Sequence, residues 1–189
     1  MERINLLELN SWLWIVWGTG WIIASCFTQK TKKSEGILLR LQHLLPMAIG
    51  FVLIFGVFHR ALIFGPLYSN EIAEVIGDCL TAGGLLFAVW ARAHLGKYWS
   101  GIITLKEGHR LIRTGPYRLV RHPIYTGFLL GAFGSAITAG TGDAMIGFVI
   151  MASAYVIKIV REEAVLTSEF GEEYARFKKE VAALVPFVF

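Results

Sequence analysis

The sequence predicts an all-α integral membrane protein with about five transmembrane helices, and three observations carry the prediction. Hydrophobic residues make up 55% of the 189 positions, charged residues 17%, and the mean hydropathy is +0.57; soluble domains carry about 25% charge. Five stretches contain no Asp, Glu, Lys or Arg: Leu9–Gln29, Leu41–His59, Cys79–Ala91, His122–Gly142 and Ala144–Ile157. Finally, 16 of the 18 Lys and Arg residues fall in the first and third connections between these stretches and in the C-terminal end.

A span needs roughly 20 mostly apolar residues, which places the five at about Asn10–Phe27, Leu44–Ile63, Ile72–Ala91, Ile124–Ala139 and Asp143–Val160. In the first, Trp12, Trp14, Trp17 and Trp21 are too bulky for a signal-peptide core, and no small-x-small cleavage site precedes Lys30. The span therefore stays, with its aromatics suited to the interface and to lipid contact. In the second, Pro46 is placed at a helix start, and Gly65-Pro66 breaks the chain after it. The third holds Asp78, which sits about a turn beyond Glu74 near the outer end and is expected to snorkel in a structural or interfacial role. In the fourth, Gly127 and Gly131 are spaced for close helix contact. The turn Gly140–Asp143 then makes the last two spans a tight antiparallel hairpin.

Lys and Arg mark the cytoplasmic side. The first connection holds Lys30, Lys32, Lys33 and Arg40; the third holds Arg92, Lys97, Lys106, Arg110, Arg113, Arg118 and Arg121; the C-terminal end holds Lys158, Arg161, Arg176, Lys178 and Lys179. Only Arg3 and Arg60 fall on the other side. The N-terminus is thus expected outside, with the C-terminus inside. Residues 1–91 read as a three-span scaffold and 92–189 as the chemistry-bearing half of one integrated domain. Topology and leaflet attraction account for the net charge of +4, and no nucleic-acid recognition module is present. Cys26 and Cys79 lie in apolar runs and suggest neither a disulfide nor a thiolate metal site. No metal site is expected from His94, His109 and His122 either, because they sit among cations without a carboxylate.

After Val160 the chain turns polar, yet Leu166, Phe170, Tyr174 and Phe177 recur at helical spacing. That amphipathic stripe could lie on the membrane or cap a pocket, with a break at Gly171 and Tyr174 packing the cap. Glycine-rich phosphate loops, zinc-protease motifs and the serine-hydrolase elbow are all absent. What remains is a cationic cluster around Arg121 and His122, one hairpin away from Glu162 and Glu163. Opposite charges at the lipid edge suit a zwitterionic ligand. Internal ion pairs from Arg121 or Arg161 to the two acids explain the same residues equally well.

The run G-H-x-L-x-x-x-G-P-Y-x-x-x-R-H-P-x-Y-x-G over 108–127, followed by Glu162-Glu163 and Phe170-Gly171-Glu172-Glu173-Tyr174, resembles the isoprenylcysteine carboxyl methyltransferase family. It is also similar to the related phospholipid N-methyltransferases. The resemblance covers about residues 92–186. It implies S-adenosylmethionine as methyl donor, bound in a cytoplasmic pocket capped by the C-terminal stretch, and a lipid or lipidated acceptor drawn from the membrane. The implied donor contacts are His109, Arg110, Leu111, Ile112, Tyr117, His122, Pro123, Ile124, Tyr125 and Glu162. Arg121 and His122 would meet the donor carboxylate, Glu162 its ammonium or ribose, and Tyr117 and Tyr125 would wall the adenine or sulfonium. Lys158 stands where the eukaryotic enzymes carry an arginine thought to meet the acceptor carboxylate; it keeps the charge without the bidentate fork. Lys158, Arg161 and Glu163 form the acceptor side, with Lys158 orienting an acidic acceptor and Glu163 serving as base for an amine. Carboxyl methylation is the favoured activity. A phospholipid N-methyltransferase, a sterol-type reductase using NADPH and a non-catalytic membrane scaffold are the alternatives.

Overall fold

The computed structural model describes residues 5–27, 31–34, 36–56, 63–101, 103–106 and 110–188. Five long helices overlap the five expected spans: α1 (Leu6–Ser25), α2 (Ile37–Phe55), α3 (Glu71–Leu95), α4 (Pro123–Ala139) and α5 (Gly142–Phe170); α2 starts seven residues before the expected Leu44, residues 57–62 of that expected span lie outside the described residues, and a short α6 (Glu172–Glu180) follows α5. By length and composition α2, α3 and α5 are apolar enough to cross a membrane, and α4 is a shorter apolar helix. The chain is thus a multi-pass helical membrane protein. Its only described strands are the short antiparallel pair β1 (Thr31–Ser34) and β2 (Thr104–Lys106), which joins the first and third connections at one end of the bundle. At the other end, the backbones of Gly65–Leu67 and Gly140–Gly142 hydrogen-bond, joining the second and fourth connections.

Glycines let two helix pairs approach until backbones touch. A Cβ on Gly84 would lie 2.5 Å from the Gly127 carbonyl, and one on Gly134 would lie 2.4 Å from that of Gly77, so α3 and α4 pack along a glycine seam. Gly50 and Gly147 do the same for α2 and α5. The turn between α4 and α5 is as short as expected, with Gly140 at φ +61° in the left-handed region. Each of the two helices nevertheless packs chiefly on an earlier partner, α4 on α3 and α5 on α2, because that is where the glycine seams lie.

Three expectations are corrected. Pro46 lies well inside α2, which begins at Ile37. The polar Arg40 and Gln42 belong to its first turns, where Arg161 of α5 binds the Leu39 carbonyl and the Gln42 side chain. Trp14, Trp17 and Trp21 face inward: their i, i+3, i+7 spacing puts them on one face of α1, where all three indoles contact Phe128. Only Trp12 of the four is exposed. Asp78 does not snorkel. It is buried, accepting from Asn10 Nδ2 at 2.7 Å and Thr138 Oγ1 at 2.9 Å, in a polar knot that includes Thr81.

Candidate active site

The site forms where α3 ends, α4 begins and α5 emerges from its apolar stretch. The segment 110–122 crosses this end of the bundle, and Pro116 in the 3-10 turn Gly115–Arg118 and Pro123 at the first position of α4 fix its path. A cleft opens beneath it. Of the residues expected to hold the donor, Arg110, Leu111, Ile112, Tyr117, Arg121, His122, Pro123, Ile124, Tyr125 and Glu162 all line this cleft; His109 lies outside the described residues. The far wall is the stripe on α5 and α6, with Leu166, Tyr174 and Phe177 facing in. Leu95, Ser100, Ile103 and Val165 join the lining, as do Tyr98 and Trp99, which follow α3. Sequence reasoning missed these two; the signal was an aromatic pair beside Lys97 in the basic loop.

Charge is distributed unevenly. Glu162 accepts a 2.7 Å hydrogen bond from Tyr125 Oη, and the His122 ring stacks on Tyr125 at 5.5 Å. Glu163 turns away from the cleft towards two cations, Arg121 Nε at 2.8 Å and Lys178 Nζ at 2.9 Å, with His122 Nε2 at 3.2 Å. Glu163 lies just beyond the apolar span that ends near Val160. Burial alone would raise its carboxyl, but the hydrogen bonds from His122, Lys178 and Arg121 prevail and hold it at about 2. Burial raises the Tyr117 and Tyr174 phenols, and nearby Glu162 and Glu163 reinforce the shift.

Arg121 does more than pair with Glu163. Its guanidinium also donates to the Lys178 and Val181 carbonyls, and its backbone N–H to Ala182 at 2.8 Å. His122 N–H donates to Ala183 and Thr126 Oγ1 to Leu184, so one short stretch of chain ties down the whole C-terminal cap. Arg121 therefore acts on the cap as an internal ion pair, leaving Arg110 as the exposed cation of the cleft. Arg161, grouped with the acceptor side in the sequence, reaches α2 and is absent from the lining. Lys158 is buried behind Tyr125: its ammonium donates to the Gly101 carbonyl at 3.0 Å and lies 5.0 Å from the Tyr125 ring centroid. His94 bonds Thr114 at 2.8 Å, and among the described residues no group of His, Cys, Asp and Glu could hold a metal.

The protein is thus a helical membrane protein with an aromatic, acid-bearing cleft at one end of its bundle. Comparison supplies the family. Residues 76–168, which carry nearly all of this lining except the α6 wall, match the model of the isoprenylcysteine carboxyl methyltransferase (ICMT) family, and by that likeness the protein is a methyltransferase. A probable protein-S-isoprenylcysteine O-methyltransferase of Oryza sativa subsp. indica is 26% identical over 175 residues, 90% of each chain. The protein-S-isoprenylcysteine O-methyltransferase of Schizosaccharomyces pombe is 32% identical over 101 residues, 52% of this chain and 43% of that one. Methanethiol S-methyltransferase 1 of Bradyrhizobium diazoefficiens is 38% identical over 72 residues, 38% of this chain and 24% of that protein.

Proposed function

We propose that the protein uses S-adenosylmethionine to methylate the carboxylate of an amphiphilic, isoprenylcysteine-like acceptor drawn from the membrane. The observation that carries this reading is the cleft, in which Glu162 is set against aromatic walls and the cation Arg110. That donor set fits the cofactor: Glu162 suits its ammonium or ribose, Arg110 its carboxylate, and Tyr98, Trp99 and Tyr117 its adenine and sulfonium. When bound, S-adenosylmethionine supplies a methyl group already activated by positive sulfur. The chain's own work is to hold, orient and keep dry. Tyr125 fixes the Glu162 carboxylate, His122 braces Tyr125, and the C-terminal cap shuts out water.

The acceptor class follows from Glu163. An amine acceptor needs a base to stay neutral, whereas the cations around Glu163 suppress its basicity and turn it from the cleft. An ionised carboxylate needs no base, and the buried charge of Lys158 behind Tyr125 favours one. On this reading residues 92–189 form the catalytic half, with the cleft and C-terminus cytoplasmic and the N-terminus outside. Titration of the purified protein with S-adenosylmethionine and NADPH tests it. Binding of the first alone supports a methyltransferase, binding of NADPH alone supports a sterol-type reductase, and binding of neither supports a non-catalytic scaffold.

A further inference from the structure

Arg92 closes the last turn of α3 with its guanidinium carbon 3.5 Å from the Trp99 ring centroid and 4.7 Å from that of Trp21. The two indoles meet edge to face at 5.4 Å, so the cation sits in an aromatic box. The residue is only 8% exposed, its Nη1 has no hydrogen-bond partner, and no described carboxylate pairs with it. A guanidinium keeps its charge and presents five donors in a fixed fork. Contact with aromatic faces recovers part of the cost of desolvation but satisfies none of those donors. Among the described residues, what the site lacks is an anion.

The box stands beside the cleft. Trp99 lines it, as does Leu95, which lies three residues after Arg92 on α3. Lys158 donates to Gly101, two residues beyond Trp99, so two buried cations converge on one turn of the chain, while the acid Glu162 lies beyond Tyr125. Outside the box, the same ends of α1 and α3 carry the exposed apolar side chains Ile22, Ile23, Leu86, Val89 and Trp90. These elements together describe a seat for an amphiphile with an anionic head and an apolar body.

We propose that Arg92, boxed by Trp21 and Trp99, is a specificity-determining residue that receives the carboxylate of the acceptor while the acceptor's apolar body lies along α1 and α3. This rests on the methyltransferase reading and adds the residue that selects the acceptor's charge. To expose the guanidinium, whose carbon lies 3.5 Å from the Trp99 ring centroid, that ring must swing aside.

The test uses the full chain in nanodiscs of phosphatidylcholine, with N-acetyl-S-farnesylcysteine and its carboxamide as paired probes read by tryptophan fluorescence. S-adenosylmethionine affinity is measured separately. A hydrogen-bonded ion contact predicts that the wild type prefers the carboxylate probe by about tenfold or more. Arg92→Met should bring that preference to within about twofold at unchanged S-adenosylmethionine affinity, and Arg92→Lys, which keeps charge but not the fork, should fall between. A structural role alone would not move the ratio between the two probes. The proposal is overturned if the wild type shows no preference or if Arg92→Met retains it. If Arg92→Met fails to fold, an undiminished preference in Arg92→Lys overturns it equally. Phosphatidylglycerol competing as strongly as the probe would assign the box to lipid headgroups and also overturn it. Failure of the wild type to bind S-adenosylmethionine would sink the methyltransferase reading alone, since the probe preference is read without the cofactor.

Discussion

Glu162 and Glu163 are consecutive on α5, and a helical step of about 100° sends them to different tasks. Glu162 faces the cleft with Tyr125 as its single described hydrogen-bond partner, whereas Glu163 is bound by Arg121, Lys178 and His122. A hydrogen bond to a charged group is worth about 1.5–3 kcal/mol. Glu162→Gln should therefore weaken S-adenosylmethionine binding about tenfold or more, while Glu173→Gln on the exposed face of α6 leaves it unchanged. A titration that finds wild-type affinity in folded Glu162→Gln removes Glu162 from the site. Lys158→Met should leave donor affinity intact and lower turnover on a carboxylate acceptor, with partial recovery in Lys158→Arg. With an amine acceptor the same change would be neutral or favourable, so the sign of its effect on kcat or acceptor KM reports the acceptor class. Most of the cleft lining was legible in the motif over 108–127, since it is local in sequence. The task of Arg121 was not, because the carbonyls it binds lie 57 and 60 residues further along.

Two elements depend on contacts that charge and hydropathy could not display. The C-terminal cap hangs on Arg121, His122 and Thr126, and its ion cluster is partly exposed through Lys178. Glu163→Gln should loosen the cap and raise amide exchange across 172–188 relative to α3 and α4; unchanged exchange would show that the backbone bonds suffice. The pH dependence follows from the same carboxylate. Its value is depressed from 4.5 to about 2, so its contribution is complete above 4.5 and fades as pH falls towards 2. Amide exchange of the cap should thus begin to rise only below about pH 4.5. The glycine seam between α3 and α4 was legible at Gly127 and obscure at Gly84, which has an equally small neighbour in Gly83. A Cβ at Gly84 meets Gly127 and Gly131 backbone at 2.5 Å, while one at Gly83 meets nothing within 4 Å. Gly84→Ala should cost about 1–3 kcal/mol by overpacking and lower the Tm in detergent, whereas Gly83→Ala leaves it unchanged or higher; equal Tm values would refute the seam.

At the scale of the molecule, the two ends of the bundle are distinguished by backbone pairing as well as by charge. β1 with β2 joins the first and third connections, and Gly65–Leu67 with Gly140–Gly142 joins the second and fourth. An up-and-down course through the membrane requires that alternation, and the cation distribution follows it: 16 of 18 Lys and Arg belong to the β1–β2 end and the C-terminal end. Positive charge in short connections near span ends selects the cytoplasmic side. The cleft stands at that same end, so topology and chemistry make one prediction. Reporter fusions in the 96–106 connection and after residue 188 should report the cytoplasm, and a fusion in the 65–70 connection should report the opposite side. A cytoplasmic signal from 65–70 would break the alternation of spans. If the fusions after 96–106 and after residue 188 both report outside, the alternation survives and the cytoplasmic site does not, because the cleft would then face the compartment that lacks intracellular S-adenosylmethionine.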